Sequence, residues 1–312
     1  MNDTLDIFNI KEKELGNLDR FGTIGDMDGY DFELRYGLSS KDSIFINYQL
    51  WNINYGDSIL KNKRIELLNR YNLFYNKNSF FNSLSIDFGY VQNSSSPIDI
   101  KNDKLLNSLI KKIKPNTSVR LDNGTIISKD STITLYDSVG NLIYPYLSIE
   151  NLKSDSYVFR VLLAKKLSTS SLIDFYIGYK LIDIKTSINF YPDNNSMINN
   201  LTGDFKIPNL DRKEKNIELG LVYTLKKDKF IYELNYEYNK ILRDDELSFI
   251  DNNHIINAII AKNVGSNILI YIGGKMMLQQ FNTDIPYLYN KYTKTQFDKK
   301  YGFAQFGFVY KF

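Results

Sequence analysis

The sequence predicts an all-β chain folded as one long antiparallel meander. Three observations predict it. Apolar and polar residues alternate with period two in eleven segments, the spacing that puts them on opposite faces of a strand. The connections between those segments alternate between short turns and longer loops. And none of the 312 residues belongs to a run approaching the ~18 apolar residues of a membrane helix.

Residues 1–27 carry the weakest signal. Leu5 to Ile10 has the length of a short strand but alternates poorly, and Gly22, Gly25 and Gly29 mark a loop. From Gly29 the pattern is regular. Tyr30, Phe32, Leu34, Tyr36 and Leu38 alternate with Asp31, Glu33, Arg35 and Gly37. A tight turn over Ser39 to Asp42 leads to Ile44, Ile46, Tyr48 and Leu50. The next pair is Ile65 to Tyr75 and Leu84 to Tyr90. In the first of these the facing is ambiguous, because Leu68 and Phe74 share a face with Arg70.

Three further hairpins follow: Tyr157 to Leu163 with Ile173 to Leu181, Ile217 to Leu225 with Phe230 to Tyr238, and Ile256 to Ile260 with Ile268 to Met276. Tyr301 to Phe312 makes the closing strand. The longer connections are Gly56 to Lys63, Val91 to Ser154, Ile184 to Glu214, Arg243 to Asn253 and Gln280 to Lys299.

Alternation alone does not say which face is wet. A soluble sandwich is apolar inside; a membrane barrel is apolar outside. The apolar face here carries Tyr and Phe near strand ends, as interfacial girdles do. The polar face carries Gly, Ser, Asn and charges of both signs, which suits a hydrated interior. Eleven or more long strands with hardly any helix would need two sheets to bury so much apolar face. The predicted fold is therefore a transmembrane antiparallel β-barrel with short periplasmic turns and long extracellular loops. An even strand count requires one more strand before Gly29, within roughly Thr4 to Lys13. That makes twelve, with ten and fourteen as the alternatives. The whole chain, 1–312, forms one barrel domain, with a long extracellular loop over 91–154.

Composition agrees. The 24 Tyr, 20 Phe and single Trp are a strong aromatic excess, and the mean hydropathy of −0.33 fits strands with one lipid face. The absence of cysteine excludes disulfides and thiolate chemistry. A formal charge of +3 implies no nucleic-acid partner. Met1-Asn2-Asp3-Thr4 does not read as a signal peptide, so export requires a mature form with an added Met.

In the closing strand Phe306, Phe308, Tyr310 and Phe312 share one face, with Gly307 and Lys311 on the other. This ending resembles the last strand of bacterial outer-membrane β-barrel proteins. The resemblance covers nearly the whole chain at the level of architecture and singles out no one family. It implies an outer-membrane location among lipid and lipopolysaccharide. It also implies that Phe308, Tyr310 and Phe312 serve as an assembly signal for the barrel-insertion machinery.

Lumen-lining charges are expected at Asp31, Glu33, Arg35, Arg70, Asp87, Arg160, Asp174, Lys180, Glu218, Glu233, Glu237 and Lys275. Their signs are mixed, so they read either as a polar pathway or as an ion-paired filling of a narrow barrel. In the longest loop, Leu105, Leu106, Leu109, Ile110 and Ile113 share one helical face, with Lys101, Lys104, Lys111, Lys112 and Lys114 around it and Pro115 as the stop. That basic helix either constricts the pore or lies on lipid head groups; alternatively it packs on Thr132 to Leu147 as a surface loop.

His254, the single histidine, follows Asp251-Asn252-Asn253 at a strand end. It resembles an outer-membrane protease pair only in height, and it reads as a loop-rim residue. Asp244, Asp245 and Glu246 read as solvated acids, and no cofactor or metal site is indicated. The leading function is a channel for small polar solutes. The alternatives are a structural or adhesive surface barrel, a transporter of hydrophobic substrates, and an outer-membrane hydrolase.

Overall fold

The computed structural model of the protein describes residues 24–55, 58–100, 119–120, 126–127, 135–136, 142–143, 146–191, 210–243, 251–279, 282–288 and 301–311. Eleven long strands run through them in sequence order: β1 (Ile24–Gly37), β2 (Asp42–Tyr55), β3 (Ser58–Tyr75), β4 (Ser83–Ser95), β5 (Tyr146–Lys166), β6 (Ser171–Tyr191), β7 (Arg212–Lys227), β8 (Phe230–Leu242), β9 (Asn252–Asn263), β10 (Ile268–Met277) and β11 (Tyr301–Tyr310). Each is a neighbour of the next in one sheet, an uninterrupted meander. The expected extra strand near Thr4 to Lys13 and the basic helix of Lys101 to Lys114 lie outside the described residues, as do Asp244, Asp245, Glu246 and Phe312.

The chain divides into two compact units. The first comprises residues 1–95, 153–184 and 212–312 and carries the sheet. The second comprises residues 96–152 and 185–211. In the second unit, Ile98–Ile100 pairs antiparallel with Leu147–Ile149, Ile149 is buried, and Asn189 donates to Glu150 at 2.6 Å. Two small ribbons, Val119–Arg120 with Ile126–Ile127 and Leu135–Tyr136 with Leu142–Ile143, complete what is described there.

The strands are longer than the alternation alone indicates. The β2–β3 ladder continues to Tyr55↔Ser58, so the expected Gly56 to Lys63 loop is mostly paired strand. The ambiguous facing of β3 has a physical cause. A bulge between Asn72 and Phe74 shifts the register, so Phe74 pairs with Leu84 and joins the exposed face. Upstream of the bulge Leu68 lies inward, where it clusters with Val91 and Val158 against Phe45.

The turns close as their residues dictate. Ser39 Oγ accepts from the backbone N–H groups of Lys41 and Asp42, both at 3.1 Å. Asp228 holds φ 54° in the two-residue turn between β7 and β8, a left-handed position that Asp tolerates.

Burial then separates the two faces. Tyr30, Phe32, Phe88, Phe175, Tyr232, Phe306, Phe308 and Tyr310 are exposed, whereas Asp87, Glu218, Asn62, Asn216 and Asn239 are each at most 1% exposed. This is the reverse of a water-soluble domain, whose charges stay outside unless paired. An arginine placed on the apolar face should therefore meet hydrocarbon. Phe88→Arg, at a position 55% exposed and with its ring centroid 5.1 Å from that of Phe159, is expected to destabilise the protein in lipid vesicles by about 2–4 kcal/mol. Urea unfolding in those vesicles measures it, and unchanged stability would mean that this face does not meet lipid.

Candidate functional site

The inner face is built from every second residue of each strand, so a charge there points at charges on neighbouring strands. Arg70 of β3 donates to Asp87 of β4 through Nε and Nη2 at 2.8 and 2.9 Å. Asp31 accepts from Asn47 and Gln49, both at 2.8 Å, and Arg35 pairs with Glu33 at 2.5 Å. Arg160 of β5 and Lys180 of β6 converge on Glu218 of β7; the Arg160 Nε to Glu218 distance is 2.8 Å, and the carboxylate is fully buried. Glycine makes room for this knot, because a Cβ at Gly178 would sit 2.8 Å from Glu218 Oε2. Tyr176 donates to Glu237, and Arg160 lies over its ring at 5.7 Å. Asp174 and Glu233 are half-buried and make no hydrogen bond or ion pair among the described residues.

The element that organises the inner face is a segment that periodicity does not reveal. Residues 282–288, just after β10, fold inward as a turn followed by a short 3-10 helix, Pro286–Leu288. Asn282, Ile285, Tyr287 and Leu288 are all at most 1% exposed. Five connections hold the segment. Asp284 pairs with Lys275 of β10 at 2.6 Å and with Arg64 of β3 at 3.6 Å. Tyr287 donates to Asn62 of β3. Arg212 of β7 donates to the Pro286 carbonyl at 2.9 Å. Arg243, just beyond β8, donates to Asn282.

Arg212 and Arg243 also share Glu214, at 2.7 and 3.0 Å, and Arg64 pairs with Glu66 at 2.9 Å. At the rear, Asn253 of β9 exchanges two 2.9 Å hydrogen bonds with the Gln279 backbone.

The contacts of Asp284 decide the architecture. In a flat sheet β3 and β10, seven strands apart, would be separated by roughly 33 Å. One carboxylate touching both means that the sheet curls round the segment. Trp51 of β2 and Phe303 of β11 agree, with ring centroids 6.4 Å apart. With charges inward and apolar residues outward, one environment suits the fold. The chain is built as a transmembrane-type β-barrel, apolar outside and charged within.

No family model matches the chain, and no curated protein matches it. Solved structures similar to it include porins and channels. The NanC porin is 10% identical, with 92% of this chain and 98% of that one covered at a TM-score of 0.45. The monoaromatic hydrocarbon channel CymD is 9% identical, with 92% and 85% covered at 0.43. The toluene transporter TodX of P. putida is 10% identical, with 85% and 69% covered at 0.39.

Sequence reasoning named Lys275 but not its partner Asp284 in the inward segment, and named Arg160, Lys180 and Glu218 without their mutual pairing. Arg64, Glu66 and Asn62 belong to the even-numbered inner row of β3, and Glu214 and Arg212 to that of β7. Extending each strand by a few residues would have exposed both rows. The stretch after β10 mixes polar Asn282, Thr283 and Asp284 with apolar Ile285, Tyr287 and Leu288, and no period in it announces that it turns inward. His254 lies beside Tyr236 and Tyr238, its Nδ1 2.8 Å from the Tyr236 hydroxyl and its ring 5.1 Å from that of Tyr238, while Asp251 pairs with Lys240. Lys101, Lys104, Lys111, Lys112 and Lys114 lie outside the described residues.

Burial opposes the charge on Asp284, but Lys275 and Arg64 outweigh it and hold the carboxyl below the usual carboxylate range. A depressed folded pKa contributes stability that is fully present above the unfolded value, about 3.9, and is lost as pH falls through the lower folded value. The segment should therefore stay latched from neutral pH down to about 4 and loosen only in stronger acid. Conductance against pH reads this directly. Asp284→Asn should show at pH 7 the conductance that the unaltered protein reaches only in acid, and a pH-independent wild type matched by the variant would refute the latch.

Proposed function

We propose that the protein is an outer-membrane channel for passive passage of small polar solutes, narrowed by residues 282–288. The observation that carries this reading is the burial of that segment against inner-face residues of β3, β7 and β10. A barrel of about twelve strands lies between eight-stranded barrels filled by side chains and sixteen-stranded porins with open channels. In such a bore one inserted turn decides what passes. The charges named above then act as the wall of the pathway. Ion-paired knots such as Arg160–Glu218–Lys180 cancel locally, while Asp174 and Glu233 stay available to solute or ions.

The same burial supports a second reading, in which the segment is a permanent plug and the barrel acts structurally or adhesively through its outer loops. Planar-bilayer recording of the refolded protein separates the two. Discrete conductance steps and swelling of protein-loaded vesicles in small sugars support the channel. Silent insertion of correctly folded protein overturns it in favour of the plug, and hydrolysis of lipid or peptide by the same preparation would reopen the enzyme reading.

A further inference from the structure

We propose that the short-turn end of the barrel carries a docking surface for the phosphates of anionic phospholipids. This depends on the barrel spanning a membrane but not on its being a channel. Three strands end their outward apolar rows in the same way. Tyr157, Phe159, Val161 and Leu163 of β5 are followed at the next outward position by Lys165. Leu219, Leu221, Tyr223 and Leu225 of β7 are followed by Lys227. Ile256, Ala258 and Ile260 of β9 are followed by Lys262. A lysine one pleat repeat beyond the last lipid-facing residue sits where hydrocarbon gives way to head groups.

Two of these ammonium groups are placed by rings. Lys165 lies over Phe80 at 4.8 Å and Lys262 over Phe230 at 5.6 Å, and Phe80 is 76% exposed. An exposed ring with an ammonium over its face is the arrangement of an interfacial anchor, with the ring at the acyl boundary and the charge beyond it.

The surroundings add charge without neutralising it. Lys41, Lys77, Lys166, Lys226, Lys229 and Lys311 lie in or within two residues of the short turns or just after β11, so this end presents nine lysines among the described residues. Among the described residues only Asp42 and Asp228 oppose them in the same band, and Asp42 already accepts from Asn69 at 2.7 Å. The described ion pairs of lysine involve Lys153, Lys180, Lys240 and Lys275, none of them at this end. This band is net positive among the described residues, in a chain that carries only +3 overall. Lipid phosphate is the anion that meets lysines at this depth on the outer face, and a juxtamembrane basic cluster is attracted to anionic lipid.

The test uses the full refolded chain in nanodiscs made from equal amounts of phosphatidylglycerol and phosphatidylcholine with identical acyl chains. Lipid that remains bound after transfer to detergent is then counted by native mass spectrometry. The unaltered protein should retain phosphatidylglycerol roughly tenfold over phosphatidylcholine at low salt, and less at high salt. The triple variant Lys165→Gln, Lys227→Gln, Lys262→Gln should lose most of that preference. The corresponding triple lysine-to-arginine variant, checked for folding by its heat-modifiable mobility, should keep it.

Equal retention of the two lipids by the unaltered protein overturns the proposal. So does displacement of phosphatidylglycerol by millimolar inorganic phosphate, which would mark a free-phosphate site. A preference for a soluble polyanion without a preference between lipids would overturn it in favour of a protein partner. Failure to enter any bilayer would instead sink the membrane placement itself, and absence of conductance bears on the channel alone.

Discussion

Replacing residues 282–288 with a Gly-Ser linker of equal length is expected to raise single-channel conductance at least roughly twofold and to admit larger solutes. The segment buries Ile285, Tyr287 and Leu288 inside the sheet, so its removal empties volume that is now protein. Its anchors come from strands on opposite sides of the bore: Arg64 and Asn62 from β3, Arg212 from β7, and Lys275 from β10. Breaking one anchor should release it partially. Asp284→Ala removes two ion pairs at once and should give frequent transitions between a narrow and a wider level, and Tyr287→Phe, which deletes one hydrogen bond, should do less. The variants must still migrate as folded barrels. If the linker variant were folded and conducted like the unaltered protein, the segment would not be the constriction, and residues outside the described set would have to supply it.

Strand existence and facing were legible in the sequence because a lipid face and a wet face force period two on every strand. The eleven segments read from alternation correspond to β1 to β11. Strand ends were less legible, because beyond the lipid the outward residues need not be apolar. Lys61 and Lys63 of β3 look like loop, although the ladder with β2 runs through them to Ser58. The reading failed at Phe74 for another reason: a bulge inverts the parity, and no residue type marks it.

The inward segment was invisible because its burial is tertiary. Asp284 and Tyr287 look like ordinary loop residues until Arg64 and Asn62, more than two hundred residues earlier in the chain, are brought opposite them. Charges such as Arg160 and Glu218 were identifiable singly, but their pairing follows from a register between β5, β6 and β7 that alternation does not supply.

Glu218→Ala is expected to destabilise the barrel by about 3–5 kcal/mol, the cost of breaking a buried ion pair from one side. Glu218 is fully buried and neutralises both Arg160 and Lys180, so its loss leaves two cations inside the wall without their nearest carboxylate. Glu66 stands within electrostatic reach of both and absorbs part of the imbalance, yet it already pairs with Arg64 at 2.9 Å. The Arg64 side holds Asp284, so the strain should pass to the inward segment as well as to the wall. Two measurements distinguish these effects. Urea unfolding in vesicles should show the stability loss, and planar-bilayer recording of the folded fraction should show a shift toward anions, because two uncompensated cations now line the pathway. The triple change Glu218→Ala, Arg160→Met, Lys180→Met removes the stranded charges and should recover most of the stability while abolishing the anion shift. If the single variant were as stable as the unaltered protein, water would already be solvating Arg160 and Lys180, and the inner wall at this height would be an open aqueous channel rather than a packed ion-paired layer.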